Sequence, residues 1–386
     1  MKNSIFFSFI LILMLIAYKT SHSLNTNIID SVSIDSLIFS VKDLSGEQKV
    51  NKYGINTVIS KRQYNSTGNL IAENYLFEKG IEFGYNTSRQ NCQETCNNII
   101  WESEGTLYSD SIVIIGAHFD SYNLDDPDGY MNLLSPGADD NASGCAAIIE
   151  IARLLKNYKP IYKMKFIFWD EEERGLYGSY YYSNLAKENG EKIKLYINLD
   201  MIGWDNDNDG MMEIQFLDTN TSVFYATQAI KFCNDYHLVL LPKLRNGEAG
   251  SDIHNFWDNG YSAIGFSDMI DYYSFVHSQN DLIGSFNFDY FLNNSKFALA
   301  IIMNNAYDVK TDVTDNFIND KLSLYPNPAT DYLNVITKSE KSKFEIYSII
   351  GKNILETNNK SVDVSHFPTG IYFLKSGNLV SMFVKY

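Results

Sequence analysis

Apolar runs and stretches of helical period alternate along most of the chain. Runs rich in β-branched residues, such as Ile112–Asp120 and Met164–Glu173, predict strands buried on both faces. Between these runs, Ile148, Ile151 and Leu155 repeat at the three- to four-residue spacing of a helix face. The same patterns predict strands at Lys194–Trp204 and Tyr261–Asp268 and helices at Asn69–Gly80, Ser143–Tyr158, Ser222–His237 and Phe288–Ala306. This alternation predicts an α/β fold with a mostly parallel twisted sheet flanked by helices on both faces.

The C-terminal region has a different pattern. Short segments that alternate apolar and polar residues predict strands, and turn-forming pairs such as Asn327-Pro328 and Gly351-Lys352 separate them. Residues 322–386 are therefore predicted to form a small all-β sandwich domain. The polar residues 311–321 predict a linker between it and an α/β domain at 24–310.

The first 23 residues form a third kind of segment. Lys2 precedes an apolar run, Ile5–Tyr18, that only Ser8 interrupts. This pattern is typical of a cleaved secretory signal peptide. The alternative is a membrane anchor, but the run is shorter than the ~20 apolar residues that a spanning helix needs. We predict a signal peptide at 1–23 and no stable membrane span after its cleavage.

Charge narrows the range of partners. The 386 residues carry 31 basic and 47 acidic side chains, a net charge of −16. Residues 24–317 hold 21 of the basic and 41 of the acidic side chains, whereas residues 318–386 hold eight and six. Such an excess of acid argues against a nucleic acid partner, since nucleic acid binding relies on clusters of Lys and Arg. The hydrophobic share of 45% is that of a globular protein.

Metal-ligand residue types follow three of the predicted strands. Open α/β sheets bind ligands at the carboxyl ends of their strands, so these residues are expected at one edge of the sheet. Two histidines with three carboxylates suit two divalent ions, and zinc is favoured over calcium because imidazole is a borderline-soft ligand. The candidates are His118, Asp120, Asp140, the acids Asp170–Glu173, Asp200 and His277.

This set of residues permits hydrolysis. Two metal ions would lower the pKa of a shared water and stabilise a developing oxyanion. A further carboxylate must then take the proton of the water and pass it to the leaving amine. The adjacent Glu172 and Glu173 can divide these tasks, one at the metal and the other at the water. Asp120 is placed to orient the imidazole of His118.

Five segments around these residues resemble the signature blocks of the dizinc aminopeptidase family, which includes bacterial leucyl aminopeptidase and glutamate carboxypeptidase II. The segments are HFD, PGADDNASG, FWDEEERGLYGS, NLDMIG and VHSQND, which begin at residues 118, 136, 168, 198 and 276. The resemblance covers about Ile55–Ala306. One block departs from the family pattern, because Ser251-Asp252-Ile253-His254 stands where Ser-Asp-His is common.

The resemblance implies a role for each site residue. The metal ligands would be His118, Asp140, Glu173, Asp200 and His277, and Glu172 would be the general base. Asp140 is preferred to Asp139 because the bridging Asp of the family lies three residues before the Ser of Ser143-Gly144. The family also has a cis peptide bond after the bridging Asp.

The resemblance implies an exported two-zinc exopeptidase. Its expected activity is that of an aminopeptidase, which hydrolyses N-terminal peptide bonds of peptide substrates with zinc-activated water and Glu172 as base. A glutaminyl cyclase with one zinc and a carboxypeptidase are alternatives on the same fold. The second would need a cation for the substrate carboxylate, for which Arg174 and Arg245 are candidates. A binding module on a degenerate scaffold is disfavoured, since every implied ligand and the base are present.

The C-terminal region resembles the sorting domain of the type IX secretion system. The resemblance is carried by LSLYPNPATDYLNV, the central Gly351 and the closing segments PTGIYFL and FVKY. It implies that the type IX machinery is a partner. It also implies export through the periplasm to the surface or surroundings of a Gram-negative bacterium.

Two weaker patterns lie outside these blocks. Asp205, Asp207 and Asp209 have the spacing of a calcium loop, but its twelfth position is Phe216 rather than a bidentate Glu. The alternative is a turn rich in Asp and Asn. Cys92 and Cys96 predict a local disulfide in an exported protein, with two free thiols as the alternative.

Overall fold

The computed structural model describes residues 25–218, 221–247, 250–268, 270, 273–307, 322–325, 329–337, 343–348, 352–377 and 379–385. Compact packing separates Leu24–Val309 from a second unit that includes Lys310–Tyr386. The signal peptide and linker predictions lie outside the described residues. Within the described part of the chain, no helix combines the length and the apolar character needed to cross a membrane.

An eight-stranded sheet forms the centre of the larger unit. Its strands are β1 (Asn86–Asn91), β2 (Asn97–Ser103), β3 (Tyr108–His118), β4 (Tyr162–Trp169), β5 (Lys192–Leu199), β6 (Met211–Phe216), β7 (Leu241–Asn246) and β8 (Ala263–Ser267). They lie in the order β1-β2-β4-β3-β5-β8-β6-β7. The central strands β4, β3, β5 and β8 run parallel, whereas β2 and β6 pair antiparallel with β4 and β8. The sheet is therefore mixed, with a parallel centre and antiparallel additions on both sides.

Helices cover both faces of this sheet. They are α1 (Ile34–Leu44), α2 (Thr67–Phe83), α3 (Gly144–Leu155), α4 (Tyr177–Glu188), α5 (Ser222–Asp235), α6 (Ile253–Asp258) and α7 (Phe288–Asn305). Along β3, Val113 and Ile115 belong to one buried cluster, whereas Ile112 and Ile114 belong to another. Because successive strand residues point to opposite faces, the sheet has a core on each side. The α/β prediction is confirmed.

The predicted strands end earlier than their apolar runs suggested. β3 ends at His118, β4 at Trp169 and β5 at Leu199. The acids that follow leave the sheet and enter turns, as a carboxylate on a doubly covered strand would be buried without partners. The elements absent from the prediction include the edge strands β1 and β7, in which every position is exposed or half-buried.

The C-terminal unit is entirely β. Its strands are β9 (Ser323–Tyr325), β10 (Tyr332–Ile336), β11 (Phe344–Ser348), β12 (Asn353–Thr357), β13 (Ser361–Asp363), β14 (Gly370–Ser376) and β15 (Leu379–Lys385). They form an antiparallel three-stranded sheet, β13-β10-β9, and an antiparallel four-stranded sheet, β12-β11-β14-β15. Leu333 of the first sheet and Ile346 and Leu374 of the second share one core, as two packed layers require.

Candidate metal centre

The predicted site residues meet at one edge of the sheet. Strands β4, β3 and β5 are neighbours and run parallel, so their carboxyl ends lie side by side. His118 ends β3, the turn Asp170–Glu173 follows β4, and Asp200 follows β5. This is the edge at which open α/β sheets bind their ligands.

Asp140 lies between the two histidines. Its Oδ1 is 3.2 Å from His118 Nε2, and its Oδ2 is 3.0 Å from His277 Nε2. Asp200 Oδ1 is 3.3 Å from His118 Nε2, and Glu173 Oε2 is 2.9 Å from His277 Nε2. The five residues thus form two groups that share one carboxylate, each with ligand atoms within 4.8 Å of one another.

A tight packing arrangement positions Asp140. The residue lies in the segment Ala138–Ser143 that leads into α3, its backbone departs from helical geometry together with that of Asn141, and the peptide bond between the two is cis, as the resemblance implied. Asn141 Nδ2 donates to the Leu199 carbonyl at the end of β5. Gly144 permits this approach, because a Cβ there would lie 2.8 Å from the same carbonyl oxygen.

Asp281 holds the same turn from the other side. Its carboxylate accepts hydrogen bonds from the backbone N–H groups of Asp139 at 2.9 Å and Asp140 at 3.1 Å. Tyr273 donates its hydroxyl to the same carboxylate at 2.6 Å. No role was predicted for Asp281, although it ends the VHSQND segment four residues after His277.

Arg62 is a second residue to which the sequence analysis gave no role. Its side chain is fully buried and donates to four backbone carbonyls. The acceptors belong to Leu44, Phe119, Pro136 and Gly137, at 2.5 to 2.8 Å. These carbonyls lie at the end of α1, just after His118, and three to four residues before Asp140. Arg62 therefore ties together the segments that carry two site residues.

Asp120 contacts both His118 and the turn Asp170–Glu173, which we call the acidic turn. Its Oδ1 is 3.4 Å from His118 Nδ1 and accepts the N–H of Glu172 at 3.1 Å. Its Oδ2 accepts the N–H of Glu173 at 3.2 Å. The side chain is buried, so one carboxylate can fix the imidazole and the adjacent turn together.

The electrostatics of the cluster favour a cation. Burial raises the pKa of Glu173 to about 8, with a further contribution from the charge of Asp140. Burial also raises the pKa of Glu172 well above its ordinary value, although His118 opposes the shift. At Asp140 burial acts in the same direction, but hydrogen bonds with His118 and His277 outweigh it and lower its pKa. Carboxylates brought together in a buried place require positive charge nearby.

The donor set fits zinc. Imidazole nitrogen and carboxylate oxygen are both zinc ligands, and each group offers one histidine with two carboxylates. Glu173 Oε1 is buried and has no hydrogen-bond partner within the described part of the chain. A buried carboxylate oxygen left without a donor is a position that a metal ion would satisfy.

The displaced histidine and both arginines have other partners. His254 is half exposed and lies 3.6 Å from Asp258, one turn along α6. Arg174 pairs with Glu171 at 2.8 Å, and Arg245 pairs with Glu213 at 3.0 Å on the edge strand β7. Each arginine thus already pairs with a carboxylate of the chain itself.

The weaker sequence patterns have distinct structures. Cys92 and Cys96 form the predicted disulfide, which is thereby confirmed. The carboxylates of Asp205, Asp207 and Asp209 lie within 4.8 Å of one another in the turn before β6. Calcium at this turn stays a prediction.

Comparison with known proteins places this chain in a family of peptidases. The family model described as peptidase family M28 matches residues 98–302, slightly more than half of the chain. The chain therefore belongs to peptidase family M28. A second model, described as a secretion system C-terminal sorting domain, matches residues 323–385 and confirms the sorting domain prediction.

Relatives and solved structures agree with this assignment. An aminopeptidase of Pseudomonas aeruginosa is 44% identical over 97 residues, which are 25% of this chain and 16% of that protein. The chain thus matches about a sixth of that relative. A probable leucine aminopeptidase of Trichophyton verrucosum is 27% identical over 72% of this chain and 76% of its own.

Among solved structures, the LapA aminopeptidase of Legionella pneumophila superposes with a TM-score of 0.60 at 20% identity, over 75% of this chain and 76% of its own. A glutaminyl cyclase of Bacteroides thetaiotaomicron, solved with N-acetylhistamine, superposes with a TM-score of 0.57 at 19% identity, over 71% of this chain and 98% of its own. These likenesses show the fold.

Proposed function

We propose that this protein is an exported two-zinc aminopeptidase that removes residues from the free N-termini of peptides. The observation that supports this most directly is the position of Asp140, whose two oxygens each face a different histidine. That arrangement suits one carboxylate shared between two ions. Relatives named as aminopeptidases support the choice of reaction.

The ions would be held by two groups of side chains. One group is His118, Asp140 and Asp200, and the other is Asp140, Glu173 and His277. When bound, two zinc ions supply a lowered pKa for the attacking water and stabilisation of the developing oxyanion. Three carboxylates also balance most of the charge of two divalent ions.

Glu172 acts as the general base in this proposal. It stands beside Glu173 and belongs, with His118, to a third group of ligand atoms within 4.8 Å. Its carboxylate accepts a proton from the attacking water and returns it to the amine of the leaving group. Asp120 keeps this carboxylate in place by accepting the Glu172 N–H, and it orients the ring of His118.

The arginines bear on the carboxypeptidase alternative. Such an enzyme needs a cation at the substrate carboxylate, but Arg174 already pairs with Glu171 and Arg245 with Glu213. The number of zinc ions per chain distinguishes the cyclase alternative, because the proposed aminopeptidase requires two ions and the cyclase requires one. The sorting domain supports export through the type IX system.

The test is hydrolysis of aminoacyl nitroanilides by the purified chain. We expect hydrolysis of substrates with a free amine, no hydrolysis of their N-acetylated forms, and loss of activity with a zinc chelator. Elemental analysis should give two zinc ions per chain. One zinc with cyclisation of N-terminal glutamine would favour the cyclase instead.

A variant of the proposed general base, Glu172, makes the test more specific. Glu172→Gln removes the proton acceptor with little change in shape, so we expect kcat to fall about 10²- to 10⁴-fold while metal content is kept. Glu188→Gln, at the exposed end of α4, is the matched control and should leave kcat unchanged. An unchanged kcat in Glu172→Gln would rule out this residue as the base.

A further inference from the structure

The disulfide closes the turn of the β1–β2 hairpin. Cys92 and Cys96 are bonded across the turn, and the Cys92 N–H donates to the Cys96 carbonyl at 3.0 Å. Because β2 pairs antiparallel with β4, with Ile99 opposite Phe168, the turn of the hairpin lies next to the end of β4. The disulfide-closed turn, residues 92–96, is thus a neighbour of the acidic turn that carries Glu172.

Hydrogen bonds join the hairpin to Asp170. The Asn97 N–H donates to Asp170 Oδ2 at 3.0 Å, and Asn98 Oδ1 accepts the Asp170 N–H at 3.1 Å. Asp170 is fully buried, and Asn69 donates to its other oxygen at 2.9 Å. The first residue of the acidic turn is therefore fixed to the start of β2.

The disulfide-closed turn also binds the next residue, Glu171. This carboxylate is fully buried, and Thr95 Oγ1 donates to its Oε1 at 2.5 Å. Gln93 Nε2 donates to Oε2, and Arg174 donates to the same oxygen at 2.8 Å. Two of these three donors come from residues between the bonded cysteines. A buried carboxylate that lost them would be poorly compensated.

Glu171 has a backbone conformation that needs such support. Its φ of +55° lies in the left-handed region, which is unfavourable for a residue with a Cβ. Such conformations persist where the surroundings over-determine them. The next two N–H groups, of Glu172 and Glu173, are held by Asp120. The acidic turn is therefore fixed from two sides, by Asp120 and by the disulfide-closed turn.

We propose that the disulfide-closed turn is a positioning element for the base, and that Gln93 and Thr95 act on Glu172 through the buried carboxylate of Glu171. This inference rests on the proposed function, because it assigns Glu172 a proton to move. Gln93, Thr95 and Glu171 touch no reacting atom in this proposal. Their effect is on the orientation of the acidic turn.

The experiment opens the disulfide in the full chain in two ways. One is the variant Cys92→Ser/Cys96→Ser. The other is reduction of the wild type by a water-soluble phosphine, chosen because a dithiol would compete for zinc. The phosphine gives two electrons to the disulfide and takes the oxygen of one water to become the phosphine oxide, and the two protons of that water complete two thiols. The variant with added phosphine is the control, as it has no disulfide to reduce.

Two quantities are measured. We expect kcat per metal-loaded enzyme to fall about tenfold with KM within about twofold, in the range seen when outer partners of a site are lost. We also expect faster hydrogen exchange within residues 172–176, where the amides of Glu172 and Glu173 donate to Asp120 and those of Gly175 and Leu176 donate to the Glu172 carbonyl. Gln93→Ala/Thr95→Val, with the disulfide intact, should give both effects.

An unchanged exchange rate in the opened protein, or an unchanged kcat, would overturn the proposal. The phosphine should have no effect on the cysteine variant, and an equal loss there would likewise overturn it. If the wild type hydrolyses no aminoacyl substrate, the proposed function has failed. The exchange of residues 172–176 then decides the positioning claim alone.

Discussion

Two acidic clusters of the α/β unit differ in how their carboxylates are satisfied. Around Asp140, the carboxylates face two histidines, and the side chains of Asp140 and Glu173 are only 7% and 6% exposed. In the turn Asp205–Gly210, two of the three acids serve the local backbone, since Asp207 Oδ1 accepts the Asp209 N–H and Asp209 Oδ1 accepts the Met211 N–H. The third, Asp205, is buried, and its Oδ1 has no hydrogen-bond partner among the described residues.

Partner type, more than the number of acids, separates the two clusters, because only the first contains histidines. Both clusters bring three ligand atoms within 4.8 Å of one another. In the first, burial raises the pKa of Glu173 to about 8, so its ionised form requires compensation. In the second, burial raises the pKa of Asp205 as well, but Asp207 is exposed to water, which can stabilise its charge.

The largest effect is expected at the shared carboxylate. Asp140→Asn replaces one ligand oxygen by an amide and removes the charge between the two histidines. We expect the bound zinc to fall from two ions per chain and kcat/KM to fall at least about 10³-fold, because each ion supplies several kcal/mol to the transition state. Elemental analysis and nitroanilide hydrolysis check both effects. Full metal content with full activity in this variant would show that Asp140 is not shared.

The next largest effect is expected at Arg62, which holds the backbone segments around the first cluster. It concerns the free energy of unfolding. Arg62→Met leaves four buried carbonyls without their donor, and each such loss costs about 1–3 kcal/mol before relaxation. We expect the free energy of unfolding to fall by about 3 kcal/mol. Tryptophan fluorescence in denaturant measures this, since all four tryptophans of the chain lie in the α/β unit.

Two variants control the Arg62 experiment. Arg62→Lys keeps the charge with fewer donors and should recover part of the loss. Lys192→Met removes a lysine that pairs with Asp110, and because both side chains are about two-thirds exposed it should change stability by less than about 1 kcal/mol. Equal effects of Arg62→Met and Lys192→Met would contradict the role assigned to the buried guanidinium.

The sequence predicted the fold and the clustering of the candidate ligands, but few of the hydrogen bonds that hold these residues in place. Apolar runs predicted the central strands because a strand covered on both faces is apolar throughout. His118, Asp140 and Glu173 lie within segments that resemble family blocks, so their clustering was expected. Arg62 lay outside every block, and a lone arginine in sequence normally indicates a solvated side chain.

The edge of the sheet contains a strand and side-chain contacts that the sequence pattern could not predict. Strand β1 is polar and mostly exposed, so its alternation could not be separated from a loop. The link from Gln93 and Thr95 to Glu171 joins residues more than 75 positions apart. Such a contact depends on the antiparallel pairing of β2 with β4, which local periodicity does not encode.

The smallest effect is expected at the second acidic cluster. Calcium there would lack a bidentate twelfth ligand, as Phe216 occupies that position and Glu213 is paired with Arg245. We therefore expect an affinity no tighter than millimolar, typical of the weakest calcium loops. At five times the dissociation constant, binding would add about 1 kcal/mol of stability, or a rise of about 2–4 °C in Tm.

Calcium titration of the zinc-loaded protein measures this shift by thermal unfolding. Asp207→Asn should abolish it while kcat/KM stays within about twofold, because this exposed carboxylate belongs to neither group around Asp140. Magnesium is the matched ion, and it should give a smaller shift because it loses its bound water reluctantly. A calcium shift that survives in Asp207→Asn would place the ion elsewhere. A loss of activity in that variant would mean that the two acidic clusters are coupled, although their groups of ligand atoms share no residue.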